Sequence, residues 1–273
     1  MGRKISIVSG KGGVGKSTVA CALALALSKE GNSVCLLDLD VGLNNLDVIF
    51  GLENKVVYDL GDCLNGKCRI KQAIISDSRF ENLYLLPSAK GFDSQTSFDG
   101  VIEISDNLAQ VFDFVIIDAP AGMGANFEIA IHSSNESLVV VTPHVSSLRD
   151  ADKVISRIKG VGLQEIGVVV NRIRGDMVLR KEMLSHSQIE KLLKTPLFGV
   201  IPESDDINIL SSFSFEKICR SKMADVFSVL ANNIKFDKKI IYNYESKYRG
   251  FIGMLRRNIK RSVWYEKYSK ANL

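Results

Sequence analysis

Residues 10–18 read Gly10-Lys11-Gly12-Gly13-Val14-Gly15-Lys16-Ser17-Thr18, directly after the apolar run Ile5-Ser6-Ile7-Val8. A glycine, four residues and then Gly-Lys-Ser is the spacing of a phosphate-binding loop. Glycines let backbone N–H groups converge on phosphate oxygens, and the N-terminus of the following helix adds the positive end of its dipole. Lys16 is placed to neutralise β- and γ-phosphate charge, and Ser17 to offer its hydroxyl to Mg²⁺. Lys11 adds a second cation inside the loop, where phosphate binding alone needs none. Two more apolar runs end in acids: Leu36-Leu37-Asp38-Leu39-Asp40 and Val115-Ile116-Ile117-Asp118. An acid at such a place can hold a water of a Mg²⁺ shell, a role that fits Asp118. Asp40 fits the orientation of an attacking water and a secondary place near the metal, with Asp38 in support. An acid that follows a strand also serves as a simple loop cap, and that reading stays open for each taken alone. Gly122 and Gly124 give the loop after Asp118 room to respond to loss of a γ-phosphate.

These groups need a frame that brings strand ends together. Apolar runs alternate with helical patterns along the chain, which argues for parallel βα units. Strands are expected at 4–9, 33–38, 82–87, 114–118, 137–142, 166–171 and 197–201. Several are unbroken apolar runs, as in Leu138-Val139-Val140-Val141, and suit strands buried on both faces. Helices are expected at 16–30, 99–112, 146–159, 178–194 and 221–235. The fold class is therefore α/β: a three-layer, doubly wound, mostly parallel sheet of the phosphate-loop nucleoside-triphosphatase kind, with ligands at the carboxyl ends of its strands.

Composition bounds the rest. The chain has 273 residues, 46% hydrophobic and 24% charged, enough for one large α/β domain with a tail. No apolar run reaches the roughly 20 residues that span a bilayer, and the start carries no signal-peptide pattern, so a cytoplasmic location is expected. Cys21, Cys35, Cys63, Cys68 and Cys219 lack metal-ligand spacing and read as free thiols, mostly core fillers. The net charge of +4 is uneven. Residues 235–273 hold 11 Lys/Arg and 3 Asp/Glu, a net +8, which leaves 24 and 28, a net −4, for residues 1–234. Bulk charge thus gives the globular part no pull on nucleic acid, whereas the tail suits an anionic surface.

The sequence resembles the MinD branch of the ParA/MinD ATPases. The resemblance rests on the loop with its second lysine, the "deviant Walker A" form, and on collinear segments over residues 3–235. These include Asp38-Leu39-Asp40-Val41-Gly42-Leu43-Asn44-Asn45-Leu46-Asp47, Asp118-Ala119-Pro120-Ala121-Gly122, Ser146-Ser147-Leu148-Arg149-Asp150 and Gly199-Val200-Ile201-Pro202-Glu203. It implies an ATP- and Mg²⁺-dependent homodimer that helps place the division septum, in which Lys11 reaches the partner's phosphates. It also implies Lys16, Ser17, Asp40 and Asp118 as the phosphate, metal and hydrolysis residues, and Asn171, Pro202 and Glu203 around the adenine. Asn171 equally suits a turn or helix cap. A MinC-like inhibitor and a MinE-like activator or polar adaptor are the implied partners. Asn44 departs from the family's usual arginine.

The domain is expected over 1–236 and a basic tail over 237–273, with an amphipathic helix at about 248–263. Tyr248, Phe251, Ile252, Leu255, Ile259 and Val263 share one face, and Arg249, Arg256, Arg257, Lys260 and Arg261 lie opposite. Such a helix can lie in the headgroup layer on the cytoplasmic face of the membrane, each basic residue adding about 1 kcal/mol. One helix binds weakly; two on an ATP dimer bind through effective concentration. The alternative is a helix packed on the protein's own core. A FlhG-type flagellar-number regulator, a ParA-type partitioning ATPase, a tyrosine autokinase using the tail tyrosines, and an ATP-binding scaffold without turnover are the other readings. The cysteine positions do not suit an iron–sulfur reductase.

Overall fold

Strand after strand in this chain places alternate side chains in two different cores. A computed structural model describes residues 1–40, 45–89, 94–204 and 223–254. Ile5 and Ile7 of β1 (Arg3–Val8), Val34 and Leu36 of β2 (Val34–Asp38), and Phe114 and Ile116 of β5 (Phe114–Asp118) face one core. Cys35, Leu37, Val115 and Ile117 face the other. This period of two, with apolar residues at both parities, is what a sheet covered on both faces requires. The remaining strands are β3 (Ile75–Asp77), β4 (Phe80–Leu86), β6 (Glu136–Val141), β7 (Glu165–Ile173) and β8 (Leu197–Pro202). The order is β3-β4-β2-β5-β1-β6-β7-β8, parallel throughout except for the β3–β4 edge pair.

One face is covered by α1 (Lys16–Lys29) and α10 (Met223–Phe236), which pack on each other, and by α2 (Asn45–Phe50). The other carries α3 (Leu60–Leu64), α4 (Ile70–Ala73), α5 (Ser94–Val111), α6 (Ala125–His132), α7 (Val145–Gly160), α8 (Gly175–Leu179) and α9 (His186–Leu193). The expected three-layer, mostly parallel α/β architecture is therefore present. The expected strands are all there, within two residues at each end.

The single helix expected at 178–194 is instead two, α8 and α9. Lys181 takes a left-handed φ of 61°, which ends helical continuation. Ser185 then starts afresh: its hydroxyl accepts from the Gln188 backbone N–H, while Gln188 Oε1 accepts from the Ser185 N–H. The edge strand β3, the short helices α2 to α4 and helix α6 were not anticipated.

Beyond α10 the chain does not leave the domain. Asp237, with φ 49°, turns it back, and the buried Asn233 side chain donates to the carbonyls of Phe198 and Ile240 and accepts from the Ile240 N–H. Tyr244 and Tyr248 are only 4% and 6% exposed. The Tyr244 hydroxyl meets His186 Nδ1 at 2.8 Å. Tyr248, grouped from the sequence with the apolar face of the tail helix, thus packs on the domain, and helix begins at residue 250. Gly175 permits this contact: a Cβ there would lie 2.4 Å from the Tyr244 carbonyl oxygen and 3.1 Å from the Tyr248 ring. No described helix is long and apolar enough to cross a membrane.

Gly175→Ala should therefore destabilise the protein by about 1–3 kcal/mol through overpacking. At about 2–4 °C per kcal/mol for a chain of this size, thermal unfolding should show a fall of several degrees; an unchanged Tm would refute the close approach.

Candidate nucleotide-binding site

β1 delivers the chain to the glycine loop, and α1 begins at its far end. Gly13 and Gly15 hold φ of 76° and 89°, left-handed values that a side chain would strain. Gly15 is also tightly enclosed, since a Cβ would lie 2.3 Å from Asn171 Nδ2. Val14, 4% exposed, roots the loop in the core. Gly10 lies against α7, where a Cβ would come within 2.6–2.8 Å of Asp150. Gly12, Gly13 and Lys11 are exposed, with Lys11 unpaired among the described residues; Ser17 and Thr18 are half-buried at the head of α1.

Parallel strands put their carboxyl ends on one rim, so the acids meet this loop. Asp38 and Asp118 are register partners at the ends of β2 and β5. Lys16 Nζ donates to Asp118 Oδ1 at 2.6 Å and to Ser17 Oγ at 3.2 Å. Both partners of the ion pair are buried, with Asp118 at 0% exposure. Burial pushes the Asp118 carboxyl up, against the pull of the Lys16 charge and hydrogen bond. Asp118 Oδ2 is buried with no hydrogen-bond partner, an acceptor able to take a donor from a hydrated metal ion, and Ser17 sits beside the pair. The residues present therefore fit Mg²⁺. Asp40 is half-buried at the same rim, close enough for its charge to act on Asp118.

Asp38 has a role that the sequence left as general support. Its Oδ1 accepts from the Asp40 N–H at 2.9 Å, and its Oδ2 from the Leu46 N–H at 3.4 Å, near the start of α2. It thereby ties together both ends of the segment 39–46. Burial, then the Asp118 charge, raise its pKa to about 7. The loop after β5 is fastened to the glycine loop by Gly122 N–H donating to the Ser9 carbonyl at 3.0 Å.

On the other flank Asn171 is buried near the end of β7, and its amide Nδ2 donates to the Val14 carbonyl at 2.7 Å. Sequence alone left this residue between base contact and cap; its side chain holds the phosphate loop. Pro202 ends β8 opposite Ile173, and the Glu203 N–H donates to the Ile173 carbonyl at 3.0 Å. Beside them opens a cleft of about 310 Å³, closed on its far side by Tyr242–Lys247. The spacing of tail tyrosines gave no hint of that wall. Arg174 links Glu203, 3.8 Å away, to the fully buried Asp176, which Arg180 also bridges.

Phe251 and Ile252 are 79% and 67% exposed. Leu255, Arg256, Arg257, Ile259 and Lys260, the other residues assigned to a lipid-facing helix, lie outside the described residues, as do 41–44 and Cys219.

A glycine loop between a strand and a helix, a buried lysine–aspartate pair and a parallel sheet define a phosphate-loop nucleotide-binding protein. Residues 5–214 match the family described as CobQ/CobB/MinD/ParA nucleotide binding domain. A putative septum site-determining protein MinD of Emiliania huxleyi is 44% identical over 208 residues, 76% of each sequence. The fold superposes on the MinC:MinD cell division protein complex of Aquifex aeolicus with a TM-score of 0.80 and 36% identity, covering 89% of this chain and 99% of that one. The MinD of Pyrococcus horikoshii solved with Mg-ADP gives a TM-score of 0.77 at 32% identity, covering 88% and 100%. The chain belongs to the CobQ/CobB/MinD/ParA nucleotide-binding family, as a MinD-like ATPase of cell division.

The shifted acid makes a pH prediction. A carboxyl raised to about 7 when folded binds its proton more tightly folded than unfolded, so it stabilises most below the ordinary value near 4. That contribution is lost as pH climbs from about 4 through about 7. Relative to Asp38→Asn, the unmodified chain should lose unfolding free energy over this window. Denaturant titrations of both proteins at several pH values measure the difference, and a pH-independent gap would contradict the assignment.

Proposed function

We propose that this chain is an ATP-dependent, dimerising, membrane-associating ATPase that positions the division septum. The observation that carries this reading is the buried Lys16–Asp118 pair under a glycine loop that also presents an exposed Lys11. Lys16 exchanges its aspartate for the β- and γ-phosphate oxygens of ATP. Ser17 and, through water, Asp118 hold Mg²⁺, with Asp40 a further candidate at its edge. Bound there, the metal neutralises charge on the transferring phosphoryl group. Asp40 orients the attacking water. The backbone of Gly10, Gly12, Gly13, Val14 and Gly15 and the hydroxyl of Thr18 surround the phosphates. Asn171 fixes the loop's shape, and Pro202 and Glu203 flank the base at the mouth of the cleft.

Lys11 has no counter-charge among the described residues of its own chain and stands free to reach the phosphates of a second copy. That contact makes dimerisation depend on nucleotide. Each protomer presents Phe251, Ile252 and Met254, all more than half exposed, at the root of a basic segment. Two such segments, with Leu255, Arg256, Arg257, Ile259 and Lys260, hold the dimer on an anionic cytoplasmic membrane face, and hydrolysis releases it. The MinC:MinD neighbour supports a MinC-like inhibitor as one partner, with a MinE-like activator or polar adaptor as the other class. Tyrosine autokinase activity is disfavoured at two of the tail tyrosines, because Tyr244 and Tyr248 are buried.

Lys16→Ala should abolish ATP binding, since it removes the cation that meets the β- and γ-phosphates and leaves the buried Asp118 without its partner. Lys11→Ala should keep binding but stay monomeric with ATP when examined by sedimentation in an Asp40→Ala background. Chelation of Mg²⁺ should stop phosphate release. The unmodified chain should co-sediment with phosphatidylglycerol-rich vesicles in ATP and not in ADP, and Leu255→Glu should stay in the supernatant. A Lys11→Ala protein that dimerises normally removes the trans contact, and equal vesicle binding in both nucleotides removes the membrane cycle.

A further inference from the structure

Away from the nucleotide rim, two cysteines are held side by side. Cys63 lies in α3 and Cys68 just before α4, both half-buried, with sulfurs 3.5 Å apart. The four described cysteines are free thiols, as expected; Cys21 and Cys35 are buried in the core, and Cys63 and Cys68 are partly buried against its edge.

The approach is built by the backbone and not by the sulfurs. Gly66 turns the chain with φ 69°, a value a side chain would resist. Its N–H donates to the Cys63 carbonyl at 3.0 Å, and the Lys67 N–H to the Asp62 carbonyl at 2.9 Å. Asp59 caps α3 through the Asp62 N–H, and Lys67 Nζ bonds Asp62 Oδ1 at 3.0 Å. A bonded sulfur pair stands about 2.05 Å apart, so a shift of roughly 1.5 Å closes the bridge.

We propose that Cys63 and Cys68 form a reversible redox modification site that is oxidised by low-molecular-weight disulfides such as oxidised glutathione. The alternative use of paired thiols is a metal, but no group of three or more metal-binding side chains occurs among the described residues. A six-residue ring constrains the unfolded chain little, which suits a switch better than a structural staple.

Burial, then the neighbouring Cys68, hold the Cys63 thiol above its ordinary value. One of the two cysteines gives up its proton and attacks one sulfur of the reagent, and the reagent's S–S bond breaks to release one thiol. The other cysteine gives its proton to solvent and attacks the first cysteine's sulfur in the mixed disulfide, which releases the second thiol. Two protein S–H groups and one disulfide become one protein disulfide and two small thiols.

The test uses the full chain carrying Cys219→Ser, incubated with oxidised glutathione, alkylated and digested for mass spectrometry. The peptide spanning both cysteines should lose two hydrogens and both alkylatable thiols, and dithiothreitol should restore them. In Cys63→Ser and in Cys68→Ser the remaining cysteine has no partner to resolve a mixed disulfide, so a glutathione adduct on it should persist and neither peptide should lose two hydrogens. A lasting adduct in the unmodified pair, or two thiols untouched by the reagent, overturns the proposal.

Discussion

Two opposite charges, Lys16 and Asp118, sit 2.6 Å apart in the interior at the carboxyl edge of the sheet. Removing both from water is costly, and such pairs add little net stability, while loss of one partner costs about 3–5 kcal/mol. The pair is therefore better understood as stored electrostatic tension at a site of use. Asp118 already engages one oxygen with the lysine and leaves the other without a partner. A ligand that brings both negative phosphate and a divalent cation satisfies each member separately. Nucleotide without metal, or metal without nucleotide, satisfies only one.

The sheet supplies the geometry that this exchange needs. Parallel strands deliver Asp38, Asp118, Asn171 and Pro202 to one rim because all their carboxyl ends face the same way. Each neighbour of the loop is then fastened to its backbone: the Gly122 N–H to the Ser9 carbonyl, and the Asn171 side-chain amide to the Val14 carbonyl. Asp38, the register partner of Asp118, holds both ends of the segment after β2.

The buried strands and the loop were legible in the sequence because each rests on local signals: unbroken apolar runs, fixed glycine spacing, acids at run ends. The break between α8 and α9 was legible too, in Ser185-x-x-Gln188, yet an apolar helical pattern spanning it masked the cap. What could not be read was contact between distant residues. Nothing local distinguishes Tyr248 as a domain residue from Phe251 three positions later; the difference is made by Gly175, 73 positions earlier in the chain, whose missing Cβ admits the strap. Asn171 posed the same problem, since its partner is the carbonyl of Val14, 157 residues away. The closeness of Cys63 and Cys68 was visible as spacing, but only the turn at Gly66 shows that their side chains converge.

The strap that ends at Tyr248 leaves only Arg249 and Gly250 before the exposed Phe251. A joint this short has no slack. The disorder of a free linker is already surrendered when the domain folds, so docking of the segment beyond it does not meet that entropy again. The place of departure is set as well: Phe251 and Ile252 leave the domain within a few residues of Tyr248, which is buried beside Gly175 of α8.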